Sequence, residues 1–370
     1  MSRSIQCAHV TEYHGFRICA CSDVTPYAHP LWDLAWKQRI MTQPLSRFHH
    51  ALTALVLLCC TCTTPADDSI ANIRQLQHDL RHEKFMLRLH AVATLSNISV
   101  NGLKVSELSG LAWDQDEKLL YALSDNGYLL DLQPVFSGHI LRDIRLQSGH
   151  RLLDENGKPL KYRQADSEGL ALEHGHNGRR GDTRLIVSFE RFPRLIRYKR
   201  DGTFESRLTL PPELEDVTRY RSDNKALEAV TGHPAYGILT GPEFPLKDTE
   251  SGTLNIYSLR GDHWAFPAHG KTSGALVDMV TLEDGKIIVL ERAYDGLLSG
   301  IQTTLHRIIL NGQQIQADQI HTFTPEEGLF DDNFEGITHL DKNYFMMVSD
   351  DNNHPLKRTL LVYFEIIEDK

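Results

Sequence analysis

The chain has 370 residues, 41% hydrophobic and 24% charged, enough apolar material for one large domain or two ordinary ones. A formal net charge of −10, without any Lys/Arg cluster beyond short pairs such as Arg179–Arg180, argues against nucleic acid and anionic lipid as partners. All six cysteines (Cys7, Cys19, Cys21, Cys59, Cys60 and Cys62) precede residue 63, so a domain freed of that leader holds no disulfide or thiolate metal site.

In chain order, the first signal is the uncharged apolar run 51–62, preceded by Arg47, His49 and His50 and followed by Thr63-Thr64-Pro65-Ala66. That order predicts a secretory signal peptide over 41–66, opening at Met41, with 1–40 an over-extended start of the reading frame. The run is shorter than the roughly 20 residues that span a bilayer as a helix, so the mature chain is expected to have no membrane span. The expected destination is the periplasm or the medium. Residues 67–84 read as a polar N-terminal arm, in which Ile73, Leu76 and Leu80 at helical spacing fit a short amphipathic helix or a disordered segment equally well.

From residue 85 helical periodicity ends. Short apolar or alternating runs follow, separated by turn signals such as Asp125-Asn126-Gly127, Glu155-Asn156-Gly157 and Glu283-Asp284-Gly285. These runs recur in five units, each opening on a small or acidic corner and reaching a second polar corner one strand later. The first corners are Ser109-Gly110-Leu111, Ser167-Glu168-Gly169-Leu170, Leu227-Glu228-Ala229-Val230, Val277-Asp278-Met279 and Phe334-Glu335-Gly336-Ile337. The second corners carry Asp125, Glu190-Arg191, Glu243, Glu291-Arg292 and Asp350-Asp351. Such a repeat predicts an all-β domain over 85–370: a β-propeller of four-stranded antiparallel blades, five in number, or six if an irregular blade hides in an insertion. The last unit is one strand short. The strand over 85–95 is expected to complete it, so that the N-terminal strand closes the last blade and removes an aggregation-prone edge.

At these corners the chain resembles the phytase-like domain family described as "esterase-like activity of phytase". The resemblance rests on Ser109-Gly110-Leu111, Ser167-Glu168-Gly169-Leu170-Ala171, Val187-Ser188-Phe189-Glu190-Arg191, the stretch 224–228, Val289-Leu290-Glu291-Arg292, and Asn333-Phe334-Glu335-Gly336-Ile337 with Val348-Ser349-Asp350-Asp351-Asn352. It implies an exported bacterial propeller with hydrolytic activity, and it assigns no catalytic residue.

In a propeller, equivalent corners of successive blades converge. Gathered carboxylates repel unless cations compensate them, either arginines or a hard metal ion with oxygen ligands. The residues expected to form the polar, catalytic constellation are Glu168, Glu190, Arg191, Glu228, Glu291, Arg292 and Glu335. The expected metal ligands are Asp350, Asp351 and Glu335, with Ca²⁺ as the ion and no organic cofactor. The activity these residues suggest is metal-assisted hydrolysis of phosphate or carboxylate esters, arginines binding a small anionic substrate. The alternative is a non-catalytic propeller that binds a ligand or an envelope protein, its acidic corners serving only the fold. No Gly-x-Ser-x-Gly elbow, His-Glu-x-x-His pair or phosphate-binding loop supports another chemistry. Tyr294-Asp295-Gly296 is expected to open a loop able to shape a lid.

Overall fold

The computed structural model describes residues 69–269, 274–294, 300–324, 332–354 and 356–369. The expected signal peptide, all six cysteines and the loop from Asp295 lie outside the described residues. The polar segment expected as a helix or arm is instead a strand, β1 (Ala71–His82), paired with β2 (Phe85–Leu95). A two-residue ladder, β3 (Ser99–Val100) with β4 (Leu103–Lys104), then leads into the repeat.

Blade 1 comprises β5 (Leu108–Asp114), β6 (Leu119–Ser124), β7 (Tyr128–Ser137) and β8 (Ile140–Arg151). Blade 2 comprises β9 (Ser167–Glu173), β10 (Arg184–Phe189), β11 (Arg194–Lys199) and β12 (Phe204–Leu208). A short helix, Pro212–Glu215, sits in the insertion before blade 3, which is β13 (Leu227–His233), β14 (Gly237–Pro242), β15 (Thr253–Ser258) and β16 (His263–Pro267). Blade 4 comprises β17 (Ala275–Thr281), β18 (Ile287–Tyr294), β19 (Ile301–Asn311) and β20 (Gln314–Phe323). Blade 5 comprises β21 (Asn333–Asp341), β22 (Tyr344–Asp350) and β23 (Leu360–Glu368), then β2 and β1. The fold is thus a five-bladed β-propeller. As expected, the N-terminal strand β2 completes the last blade, running antiparallel to β23 from Phe85↔Glu368 to Thr94↔Leu360. β1 adds a fifth, outer strand, whose mostly exposed polar side chains fit an edge that faces water.

The inner strands β5, β9, β13, β17 and β21 are neighbours in a closed ring. The apolar core is divided into five seams, one between each pair of adjacent blades. Leu123 and Tyr121 meet Leu170 and Val187 between blades 1 and 2; Leu239, Ile256 and Trp264 meet Leu276 and Val289 between blades 3 and 4. A blade therefore has apolar residues on both faces. This is why β10 and β22 read as nearly continuous hydrophobic runs rather than strict alternation.

Around the axis the backbones come very close. A Cβ on Gly169 would lie 2.4 Å from the Glu228 carbonyl oxygen, and one on Gly336 would lie 3.0 Å from the Gly110 Cα. Gly169→Ala is expected to lower stability by about 1–3 kcal/mol, because a backbone atom blocks the new methyl. Gly232→Ala, with nothing within 4 Å, is the neutral control; thermal unfolding of both variants checks the difference. A chain starting at Ser96 lacks β1 and β2 and bares the β23 edge, so it should lose its cooperative melt and aggregate, as calorimetry and light scattering would show.

Candidate functional site

Each inner strand carries a β-bulge at the same place. In β5, Leu108 pairs with Ser124 and Gly110 with Leu123, leaving Ser109 extra; in β13, Leu227 pairs with Pro242 and Ala229 with Gly241, leaving Glu228 extra. The same irregularity falls at Glu168 in β9, Val277 in β17 and Glu335 in β21. A bulge re-aims its side chain and bends the strand. These five positions therefore form one set: Ser109, Glu168, Glu228, Val277, Glu335. Asp278, expected at this corner, lies one residue farther on, in the place of Gly110, Gly169, Ala229 and Gly336. Its two carboxylate oxygens accept the Met279 and Ile337 amides, each at 2.8 Å, and so tie blade 4 to blade 5.

The pairing also aligns the second corners. The residue following the partner of each pre-bulge position is Asp125, Glu190, Glu243, Arg292 and Asp350. In blades 1 to 3 its amide donates to the carbonyl of the residue two before the bulge: Asp125 to Glu107, Glu190 to Asp166, Glu243 to Ala226. Four acids and one arginine thus occupy equivalent places. Glu291, expected in the constellation, is on the other face of β18. Its Oε2 accepts the His269 amide at 2.9 Å and lies 2.6 Å from His306 Nε2, inside blade 4.

Arg292 is the internal counterion of the two sets. It donates to Glu335 Oε1 and Asn333 Oδ1, each at 2.6 Å, and to Glu243 Oε1 at 3.1 Å, linking blades 3, 4 and 5. Burial alone would lower its pKa, but Glu335, Glu243 and Glu228 outweigh that and raise it. Lys225 adds a second cation, 2.9 Å from Glu243 Oε1. Arg191 pairs with Asp166 at the flank and also lowers the pKa of Glu190, against the burial that raises it.

The acids outnumber these cations. Burial, then neighbouring carboxylates, pushes Glu168 and Glu228 well above the usual range. Glu190 is pushed up to about 8 by burial and Glu243. Asp125 rises to about 8 through burial, Glu107 and Asp350, and Asp350 to about 7 through burial and Glu335. Carboxylate oxygens of Asp166, Glu168 and Glu190 lie within 4.8 Å of one another, as do those of Glu190, Glu228 and Glu243. Asp351 is set apart from this cluster: its Oδ1 accepts Ser106 Oγ at 2.8 Å and the Glu107 and Asn353 amides at 3.0 Å, holding the corner between blades 5 and 1. Asp350 Oδ1 accepts the Asn352 amide at 2.7 Å. The far ends of the inner strands present a different surface, a cavity of about 590 Å³ lined by residues that include Trp113, Leu172, Thr231, Thr281 and His339.

Of the residues expected from sequence, Glu168, Glu190, Glu228, Arg292, Glu335 and Asp350 come together, and Glu291 and Asp351 do not join them. Lys225 and Asp166 were missed: Lys225 has no basic counterpart in the other blades, whereas Asp166 shares its place with Glu107 of blade 1, a repeat that could have found it. Glu243, following Gly241-Pro242, was visible as the blade 3 counterpart of Glu190.

Fold and site together define a five-bladed propeller with a buried acidic cluster at one end of its inner strands. The chain belongs to the phytase-like family described as "esterase-like activity of phytase", whose family model matches residues 103–353. No curated protein matches it significantly in sequence. Among solved structures it is similar to a β-propeller domain from Myceliophteria thermophila, with 11% identity, 80% of this chain and 98% of that chain covered, and a TM-score of 0.36. It is also similar to a gluconolactonase from Xanthomonas campestris, with 12% identity, 74% and 89% covered, and a TM-score of 0.33.

Asp125 and Asp350 have folded-state pKa values above the unfolded value near 4. Their protonated forms therefore favour the fold; that stabilisation is complete below about pH 4 and is lost as pH rises through 7 to 8. In chelator, the melting temperature should fall between pH 5.5 and 9, and Asp125→Asn should flatten the slope. A profile that stays level or climbs over that range contradicts the assignment.

Proposed function

We propose that this protein is an exported, metal-assisted hydrolase of phosphate or carboxylate esters, acting at the acidic end of the inner strands. The observation that carries this reading is the convergence of carboxylates from several blades around Arg292 and Lys225. Membership of a family described by esterase-like activity supports the same class of chemistry.

Ester hydrolysis needs an activated water, relief of the charge that develops on the carbonyl or phosphoryl oxygens, and a proton for the leaving alkoxide. A carboxylate-bound cation lowers the pKa of its water and neutralises substrate charge. Arg292 and Lys225 bring further positive charge to an anionic substrate or to the developing oxyanion. Asp125 and Asp350, titrating near neutrality, can accept the proton of the attacking water and return one to the leaving oxygen. The high carboxylate density favours substrates that reach the site with a cation over free polyanions.

The test is turnover of p-nitrophenyl phosphate, bis-p-nitrophenyl phosphate and p-nitrophenyl butyrate by the full-length chain, with added divalent cation and with chelator. Lys225→Met, at a partly exposed position, and Arg292→Met should each lower kcat/KM by about 10²–10³. Lack of turnover on every ester under both conditions would reject the hydrolase and leave the alternative, a ligand- or protein-binding propeller of the cell envelope.

A further inference from the structure

Beyond the bulges, the inner strands build a second concave surface at their far ends. The fourth residue after the bulge is Trp113, Leu172, Gly232, Thr281 and His339 in blades 1 to 5, and all five line the cavity of about 590 Å³. That volume falls within the ~300–1,000 Å³ of small-molecule sites. The five differ in kind. The Trp113 indole nitrogen is fixed by Gln115 Oε1 at 2.8 Å, and a Cβ on Gly232, two blades away, would have nothing within 4 Å. Thr281 Oγ1 accepts the Thr231 hydroxyl at 3.1 Å, and Thr338 Oγ1, also in the lining, accepts the Trp113 amide at 2.9 Å. No described residue accepts the hydrogen of the Thr281 or Thr338 hydroxyl. His339 Nε2 lies 2.8 Å from the Lys342 carbonyl oxygen, which can only accept, so this nitrogen carries the hydrogen. Burial lowers the His339 pKa, which keeps the ring neutral and leaves Nδ1 an acceptor. Charge at the rim is largely spent in pairs: Glu283 with His176 at 3.0 Å, Asp284 with Lys286 at 2.7 Å, and Arg307 with Asp318 and Glu368. The loop after β9 brings Gly175 and His176 to the wall. It is pinned to blade 1 by Asp116, which accepts the Asn177 amide at 2.8 Å, and by Glu117, which accepts the Gly181 amide at 2.7 Å.

We infer that this cavity is a ligand site, separate from the acidic end, for an uncharged polyhydroxylated molecule of mono- or disaccharide size. A sugar ring carries C–H groups on its faces and, at its rim, hydroxyls that both donate and accept. The C–H faces suit the Trp113 indole and the Leu172 side chain; the hydroxyls suit the Thr281 and Thr338 donors and the His339 acceptor. An anion would find few unspent cations here. A wholly apolar ligand would cut two hydroxyls and an imidazole nitrogen off from water without replacing their hydrogen bonds. Because the loop after β9 is already docked, binding need not order it. The site does not depend on the proposed hydrolysis.

The experiment is isothermal titration calorimetry of the full-length chain with glucose, galactose, N-acetylglucosamine, maltose and cellobiose, with inorganic phosphate and hexanol as contrasting probes. The expected result is one bound molecule per chain for at least one saccharide, and weaker or no binding of phosphate and hexanol. Trp113→Ala and Thr281→Val should each bind at least tenfold more weakly. Gly232→Phe should abolish binding by filling the cavity, at a position whose backbone accepts any residue and whose surroundings leave room. Glu190→Gln, at the acidic end, should bind as wild type does. Melting temperatures give a second readout: exclusion of sugar from the surface raises wild type and Gly232→Phe alike, whereas binding raises only the wild type. Failure of every saccharide to bind at tens of millimolar overturns the inference, as does saccharide binding that survives in Gly232→Phe. Tighter binding of phosphate or hexanol, lost in Gly232→Phe, overturns the ligand class. Should Trp113→Ala fail to fold, Thr281→Val and Gly232→Phe carry the comparison.

Discussion

Five backbones passing one axis at near-contact distance set the terms for everything else in this molecule. Where β9 runs beside β13, space for a side chain at Gly169 is closed by the Glu228 carbonyl; where β21 runs beside β5, Gly336 rests on Gly110. Strands this close cannot keep a flat, regular ladder, and each relieves the crowding with a bulge at the same level. The bulge turns one side chain per blade out of the regular alternation, and in three blades that side chain is a glutamate. The geometry that closes the ring is thus also the geometry that assembles the site.

Gathering acids in this way is unfavourable for the fold by itself. Buried carboxylates with carboxylate neighbours resist ionisation, and their combined charge exceeds what Arg292, Lys225 and Arg191 supply. Blade 4 breaks the repeat in a compensating sense: a hydrophobic Val277 replaces the bulge acid and Arg292 replaces the second-corner acid. The resulting asymmetry concentrates the protein cations on Glu243 and Glu335, while Glu168, Glu190 and Glu228 stay dominated by burial and carboxylate neighbours. A site that withholds charge compensation from part of itself is the expected signature of a place where an ion, a proton or a substrate completes the balance.

The two ends of the inner strands have accordingly different chemistry. One is acidic and tightly hydrogen-bonded; the other opens into a cavity that mixes apolar walls with Thr231, Thr281 and His339. Because β-strand side chains alternate and the strands run the same way round the ring, residues before and after the bulge serve different ends without any additional element.

The repeat itself was legible in the chain: five strand pairs with Gly-rich corners, one strand short at the C-terminus and one to spare at 85–95, define a propeller closed by its N-terminal strand. The spacing of Glu168, Glu228 and Glu335 likewise announced that these acids would meet. Register was not legible, because a bulge adds one residue and reverses which side chains face the axis. That single-residue step places Arg292 rather than Glu291 in the ring, sends Asp278 to the Ile337 amide, and separates Asp350 from Asp351. Nor could the helical spacing of Ile73, Leu76 and Leu80 foretell β1, since the segment is a strand only because β2 offers it an edge. Local pattern determined which strands exist and how they recur; the distances at which five of them can share an axis decided where each charge ended up.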